Sequence, residues 1–143
     1  MTDLILKTVD ATMRSHGGFQ WVEGLNTAPD WNPDPVCGQG LHGLLNGQGN
    51  ASLLSTSDDA VWIVAEPVGE VVDLDGKVKC ESMMTVYVGG RDGAIGLLSD
   101  AGLVGLPYGT AIAGDYGTAT AGDYGTATVG DDGTATAGDS GTA

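Results

Sequence analysis

The chain has 143 residues, of which 25 are glycine, more than twice the usual share of ~7%. Nineteen Asp and Glu against five Lys and Arg give a formal net charge of -14, which argues against nucleic acid and anionic membranes as partners. Hydrophobic residues still make up 41%, more than a charge-rich disordered chain carries. No stretch approaches the ~18 apolar residues of a membrane span, and no export signal is evident. We therefore expect a soluble protein, cytoplasmic or virion-associated.

The N-terminal part, residues 1–91, predicts a small α+β domain. It holds all five basic residues, all three Trp, both His and both Cys. Short apolar runs between turn residues predict strands at residues 4–9, 18–22, 61–65, 70–74 and 77–88. We expect one or two helical turns at residues 40–45 and 51–54, and a loop at residues 26–35 because of its prolines and aspartates.

The composition changes after Arg91, and the remaining charges are all acidic. Residues 92–107 fit an eight-residue frame loosely and predict a degenerate capping coil. Residues 108–143 keep the frame strictly, as YGTAIAGD, YGTATAGD, YGTATVGD, DGTATAGD and SGTA. A fixed period of this kind is typical of repeat architectures.

Each octapeptide predicts one short strand and one tight turn. Thr-Ala-Thr-Ala alternates with a period of two, while Gly-Asp-Tyr-Gly has turn composition. With Ala inside and Thr outside, stacked units would form an all-β octapeptide-repeat solenoid, a β-roll. A flexible linker is the alternative interpretation, but linkers do not need a strict register.

The segment Cys37-Gly38-Gln39-Gly40-Leu41-His42, followed by the octapeptides, resembles a family of uncharacterised phage and bacterial proteins. In that family a Cys-Gly-x-Gly-Leu-His domain precedes Gly-Asp-x-Gly-Thr-Ala repeats. The resemblance implies a phage or bacterial source and identifies no activity. The repeat is also similar to the β-rolls in the heads of bacterial trimeric adhesins, whose longer period leaves handedness and symmetry open here.

Cys37 and His42 are the candidate catalytic pair, a thiol nucleophile and an imidazole acid or base five residues apart. The alternative interpretation is a reduced, half-buried cysteine and a histidine that bonds a turn. His16, Cys37, His42 and Cys80 have the composition of a zinc site, but zinc sites usually keep their ligands in close pairs.

Two columns of side chains follow from the octapeptide register. The turn aspartates would form a column that resembles calcium-binding repeats, formed by Asp115, Asp123, Asp131 and Asp139. We expect no resident cofactor, with calcium as the alternative, since a turn Asp also bonds its own backbone. Tyrosines at the turns predict a stacked ladder, formed by Tyr108, Tyr116 and Tyr124.

The predicted interface of the array combines those tyrosines with the outward threonines, which are Thr118, Thr120, Thr126, Thr128, Thr134 and Thr136. A flat threonine array is also the surface type of ice-binding solenoids, although two units per coil would divide the pairs between opposite faces. The thin alanine core favours association with further copies, as a homo-oligomer or filament.

These features together predict a non-enzymatic structural or interaction protein that associates with itself through its acidic solenoid. The alternative function is an enzyme or small-ligand-binding domain that uses the Cys37 and His42 loop, with the solenoid as a scaffold.

Overall fold

The structure of the protein is a computed structural model of the 143-residue chain. It describes residues 3–104, 106–108, 110–112, 118–122, 124–130, 133–138 and 141–142. The chain divides into two compact units, Met1–Ala94 and Ile95–Ala143. Among the described residues, no helix combines the length and the apolar character that crossing a membrane requires.

Five antiparallel strands and one 3₁₀ turn make up the N-terminal unit. The strands are β1 (Ile5–Val9), β2 (Leu25–Thr27), β3 (Leu41–Leu45), β4 (Val61–Asp73) and β5 (Val78–Gly89). The 3₁₀ turn is Ala51–Leu53, and the Asn50 side chain caps it by accepting a hydrogen bond from the backbone N–H of Ser52. Helix α1 (Arg91–Asp100) follows β5.

The strand pairings of this unit close on themselves. Strands β1 and β5 each pair with both β3 and β4, and β2 extends the pairing of β5 beyond β3. Irregular pairings between Val64 and Ala65 and between Val68 and Val71 let the long β4/β5 hairpin bend. Because the four strands of the ring are paired on both edges, the ring has no open edge.

The core of the unit consists of side chains that alternate along these strands. Its buried members are Ile5, Val9, Trp21, Ala28, Leu41, Ile63, Ala65, Val78, Cys80 and Met83. Lys7 lies between Ile5 and Val9 on β1, so its side chain starts from the same side of the strand as theirs. A lysine within this alternation is the first sign of a polar site beside the core.

Some elements agree with the periodicity of the sequence. Strands β1 and β5 and the 3₁₀ turn lie where they were expected. The expected strands at residues 61–65 and 70–74 are parts of the single strand β4, because irregular pairing takes up the interruption between them. Residues 18–22 form no strand; Gln20 makes only an isolated bridge with Arg14.

The predicted fold class, an α+β N-terminal domain followed by a β-solenoid, is wrong. In its described residues, the N-terminal unit is an antiparallel sheet with one 3₁₀ turn, and it reaches only the first residues of helix α1. Residues 40–45, expected to be helical, contribute β3, since glycine disfavours a helix and two neighbouring strands supply pairing partners. Helix α1 lies where a capping coil was expected, with Ala94, Ile95 and Leu98 on its buried face.

The repeat strands form two separate two-stranded parallel sheets and not one continuous sheet. They are β6 (Thr110–Ile112), β7 (Thr118–Thr120), β8 (Thr126–Thr128) and β9 (Thr134–Thr136). Strand β6 pairs with β8 and strand β7 pairs with β9, each in register. Each strand therefore pairs with the strand two octapeptides away.

Gly43 provides a test of the ring of strands. A Cβ atom at this position would overlap the Ile5 side chain and lie 3.0 Å from the Leu6 carbonyl oxygen, because β1 and β3 approach closely there. We predict that Gly43→Ala lowers the free energy of unfolding by about 2 kcal/mol through overpacking. Denaturant unfolding followed by tryptophan fluorescence measures this, since all three Trp lie in the N-terminal unit.

Gly90→Ala is the matched control in the same unit, because a Cβ there meets no atom within 4 Å. Equal stability of the two variants would contradict the close approach of β1 and β3.

Candidate functional site

Cys37 lies on an exposed loop and contacts a lysine at the start of β5. The Lys77 ammonium donates a hydrogen bond to the Cys37 sulfur, with Nζ 2.9 Å from Sγ. This contact lowers the pKa of the Cys37 thiol, because a neighbouring cation stabilises the thiolate. Cys80 is buried in the core, and burial raises the pKa of its thiol to about 11. Of the two thiols, Cys37 is therefore the one that ionises more readily.

His42 and Lys79 hold the loop that carries Cys37. These two residues are cross-strand partners on β3 and β5, and both bond the peptide groups of Gly38. The backbone N–H of Gly38 donates to His42 Nε2 at 3.1 Å, and Lys79 Nζ donates to the Gly38 carbonyl oxygen at 3.2 Å. In this geometry His42 positions the loop, since the Nε2 lone pair that a general base would use is already bonded.

The His42 imidazole is kept neutral by its surroundings. Burial, followed by the positive charges of Lys77, Lys7 and Lys79, lowers the pKa of His42 to about 4. A neutral imidazole can accept a hydrogen bond at one nitrogen, whereas the protonated form cannot. The contact with Gly38 is thus secured at neutral pH by both burial and charge.

Lys79 is fully buried beneath the same loop. Its ammonium lies 5.6 Å from the centre of the Trp31 ring, within the range of a cation–π interaction. A Cβ at Gly40 would lie 3.1 Å from the Trp31 ring and 3.2 Å from Lys79 Cδ. Glycine at this position thus lets the loop pack closely over the lysine.

A cleft of about 1210 Å³ opens beside this loop. We call it the basic cleft, after the cations Lys7, Arg14 and Lys77 in its lining. Its other titratable lining residues include Cys37 and His42 and the three aspartates Asp10, Asp30 and Asp59. The Lys7 ammonium lies 5.5 Å from the centre of the buried Trp21 ring. Burial and the charge of Lys77 lower the pKa of Lys7 to about 8.

The residues predicted from the sequence are only partly brought together. Cys37 and His42 meet through Gly38, and their catalytic role stays a prediction. Across the described residues, no group of three His, Cys, Asp or Glu could hold a metal ion. The predicted calcium column lies outside the described residues; it consists of Asp115, Asp123, Asp131 and Asp139.

Sequence reasoning did not find the lysines of this site. Lys7, Lys77 and Lys79 come from β1 and from the start of β5, which only the closed pairing of strands brings close. A usable signal existed, because Lys7 and Lys79 each interrupt a run of buried apolar residues. A lysine in such a position must find a partner or lie in a polar cavity.

The second candidate site is the regular surface of the repeat strands. Within the described side chains, the threonines are exposed, namely Thr120, Thr126, Thr128, Thr134 and Thr136. Ala127 is buried and packs with Ala121, Val129, Ala135 and Ala137. For Thr118 the structure gives only the backbone register, opposite Thr134. The role of these threonines as an interface stays a prediction.

The tyrosine ladder is confirmed for one pair. The rings of Tyr108 and Tyr124 stack, with centroids 5.0 Å apart and planes inclined by 13°. Both residues have positive φ, 58° and 59°, so the same turn conformation recurs two octapeptides apart. Tyr116 lies outside the described residues.

Titration of His42 tests the electrostatics of the basic cleft. We predict an imidazole NMR midpoint near pH 4, against 6.5 for an unperturbed histidine. Between these pH values the folded state binds fewer protons than the unfolded state, so the contribution of His42 to stability is complete above pH 6.5 and is lost towards pH 4. Lys77→Met should raise the midpoint only partly, because burial is the larger cause. A His42 midpoint near 6.5 would contradict the described burial.

Comparison with known proteins finds similarity to ice nucleation proteins. The chain is 33% identical over 96 residues to the ice nucleation protein InaU of Pantoea ananas and to an ice nucleation protein of Enterobacter agglomerans. Identity to InaA of Pantoea ananas is 32% over the same length. Each match covers 64% of this chain but only 9%, 8% and 7% of the respective relatives.

No solved structure matches the chain. Residues 4–95, which include the N-terminal unit from the start of β1 and the whole basic cleft, match the model of a family described as a domain of unknown function. Neither comparison bears on the Cys-Gly-x-Gly-Leu-His pattern or on a phage source, which stay predictions. Since this match extends over more than half of the residues of the chain, the protein belongs to the DUF7666 family.

Proposed function

We propose that the protein is a non-enzymatic structural protein, of bacterial or phage origin, whose repeat unit presents an ordered threonine surface to water and ice. One observation carries this proposal: the Thr-Ala-Thr strands pair in parallel and in register, threonine beside threonine and alanine beside alanine. The names of the relatives describe ice nucleation, not a catalysed reaction, and support the same function.

The geometry of paired strands sets the spacing of this surface. Residues two apart along a strand are ~6.7 Å apart, and neighbouring strands are ~4.8 Å apart. Strands β7 and β9 thus bring four threonine positions into a small rectangular grid, Thr118 and Thr120 beside Thr134 and Thr136. Threonine is branched at Cβ and has few rotamers, so its methyl and hydroxyl groups hold nearly fixed positions. Such a surface can order the water above it without losing much side-chain entropy.

The paired strand β6 departs from this pattern. Ile112 stands where the other strands carry a second threonine, beside Thr128. The grid of β7 and β9 is therefore the more regular of the two, and a test of water ordering belongs there.

Self-association is the second part of the proposal. In the described residues, a single chain contributes two strands to each sheet of the repeats, with one further bridge from Thr126 to Thr142. It spans less than a tenth of the length of the ice nucleation proteins it matches. Side-by-side or end-to-end assembly of copies would extend the threonine rows that one chain provides. The acidic charge of the repeats opposes this at low ionic strength.

Substitution within the grid tests the water-ordering function. We predict that the protein raises the freezing temperature of supercooled droplets above that of buffer, and that Thr136→Tyr abolishes this effect because a bulky ring interrupts the grid. Thr56→Tyr is the matched control, an exposed threonine of the N-terminal unit. Droplets with the wild-type protein that freeze like buffer, or equal freezing of Thr136→Tyr and wild type, would rule out the function.

Association is tested separately by sedimentation velocity in a salt series. We predict that the average sedimentation coefficient rises with NaCl, because screening weakens repulsion between chains that each carry a net charge of -14. A larger effect of CaCl₂ at equal ionic strength would add support for the aspartate column. A monomer at every salt and protein concentration would contradict self-association and leave the droplet result unaffected.

A further inference from the structure

The basic cleft concentrates the few cations of a strongly acidic chain. Five Lys and Arg stand against nineteen Asp and Glu, yet three of those five, Lys7, Arg14 and Lys77, line this one cleft. A fourth, Lys79, lies behind the Cys37 loop and bonds Gly38. With acids in such excess, a random arrangement would surround most cations with carboxylates, so this clustering calls for a physical cause.

Within the described part of the chain, the three lysines have no carboxylate partner. No carboxylate of the described residues lies within ion-pair distance of Lys7, Lys77 or Lys79. Three aspartates do line the cleft, Asp10, Asp30 and Asp59. The Asp10 carboxylate instead accepts hydrogen bonds from Thr12 and from the Arg14 backbone, and Asp59 accepts one from Ser57. The three aspartates balance the three cations of the lining in formal charge. The positive charge is therefore local to Lys7 and Lys77, which have no carboxylate of the described residues within ion-pair distance.

Placing two of these ammonium groups near each other costs free energy. Lys7 is partly buried against Trp21, and both this burial and the charge of Lys77 lower its pKa to about 8. A bound anion would reverse both effects, since it would screen the repulsion and supply hydrogen-bond acceptors. Partly buried cations that repel each other in the empty site, and that a bound anion would stabilise, are typical of ligand-binding sites.

The remaining walls suit a small molecule. The volume of the cleft, about 1210 Å³, exceeds that of usual small-ligand sites, roughly 300–1,000 Å³, and leaves room for water. Phe19 and Leu41 provide apolar contacts, while serines supply hydroxyl groups. Lysine acts as a point charge towards phosphate or carboxylate and does not demand the planar fork geometry of arginine.

We propose that the basic cleft is a binding site for a small organic anion, whose phosphate or carboxylate group is held by Lys7 and Lys77 next to the Cys37 sulfur. This site lies in the N-terminal unit and is independent of the function proposed for the repeats. The His42 and Lys79 contacts to Gly38 hold the loop that carries Cys37, so these two are positioning residues.

Cys37 itself reports on the charge of the cleft. Iodoacetate, which is anionic, and iodoacetamide, which is neutral, both alkylate a thiolate and differ mainly in charge. The test is to measure the rates of both at Cys37 by mass spectrometry, in the folded full chain and in the chain unfolded by urea. Folding should raise the ratio of the iodoacetate rate to the iodoacetamide rate roughly tenfold, as expected for a cleft that concentrates anions.

Competition by inorganic phosphate and by acetate separates binding from simple screening. At an ionic strength held constant with NaCl, phosphate should slow the reaction of iodoacetate at Cys37 if the site prefers phosphate groups. Acetate should do so if it prefers carboxylates. An unchanged rate ratio on folding, or slowing by neither anion, would overturn the proposal with the wild-type protein alone.

Variants identify the residues. Lys7→Met keeps the contact between Lys77 and Cys37 and should lower the rate ratio towards that of the unfolded chain. Arg91→Met removes a cation outside the cleft and should leave the ratio unchanged. The buried Cys80 checks folding in each sample, since it reacts slowly only while the core is intact. Equal ratios for folded Lys7→Met and Arg91→Met would exclude Lys7 from the site.

Discussion

The β4/β5 hairpin is the interaction on which the N-terminal unit depends. Strand β5 pairs with β4 along its whole length and gives its other edge to β3 and β2 in turn. Strand β4 in turn holds β1, which closes the ring through β3. Most of these contacts are distant in sequence, so their loop-closure cost must be met by burial of the shared core. The same closure brings Lys7 of β1 and Lys77, which directly precedes β5, to one cleft.

The sequence predicts what is local and misses what is not. Strand β1 and most of β5 follow from alternation within a few residues, and the octapeptide register predicts the buried Ala127 between the exposed Thr126 and Thr128. The sequence does not predict strand β3, because the reason for a glycine at position 43 is the close approach of Ile5 on the neighbouring strand β1. For the same reason Cys37 and His42 were identified, being five residues apart, whereas Lys77 was not.

Different interactions offset the conformational entropy of folding in the two units. The N-terminal unit buries large side chains such as Trp21 and Met83, each of which contributes ~1.5–3 kcal/mol or more. It can therefore tolerate a buried Lys79 and a Trp21 indole nitrogen without a hydrogen-bond partner. The repeat strands bury mainly alanines, whose methyl groups contribute ~0.8 kcal/mol each. In the repeats, backbone hydrogen bonds therefore contribute a larger share of the stability. One of them joins the Ala127 N–H to the Thr142 carbonyl oxygen at 2.7 Å.

The pairing of alternate octapeptides has a consequence for how such an array changes in length. Thr110 pairs with Thr126 and Thr118 with Thr134, an offset of sixteen residues in both sheets. Slippage of a repetitive gene during replication would add or remove one octapeptide at a time, and every later strand would then change sheets. Because the units are nearly identical, most strands would find an equivalent partner after the exchange. Irregular positions such as Ile112 would mark the sheet in which an insertion had occurred.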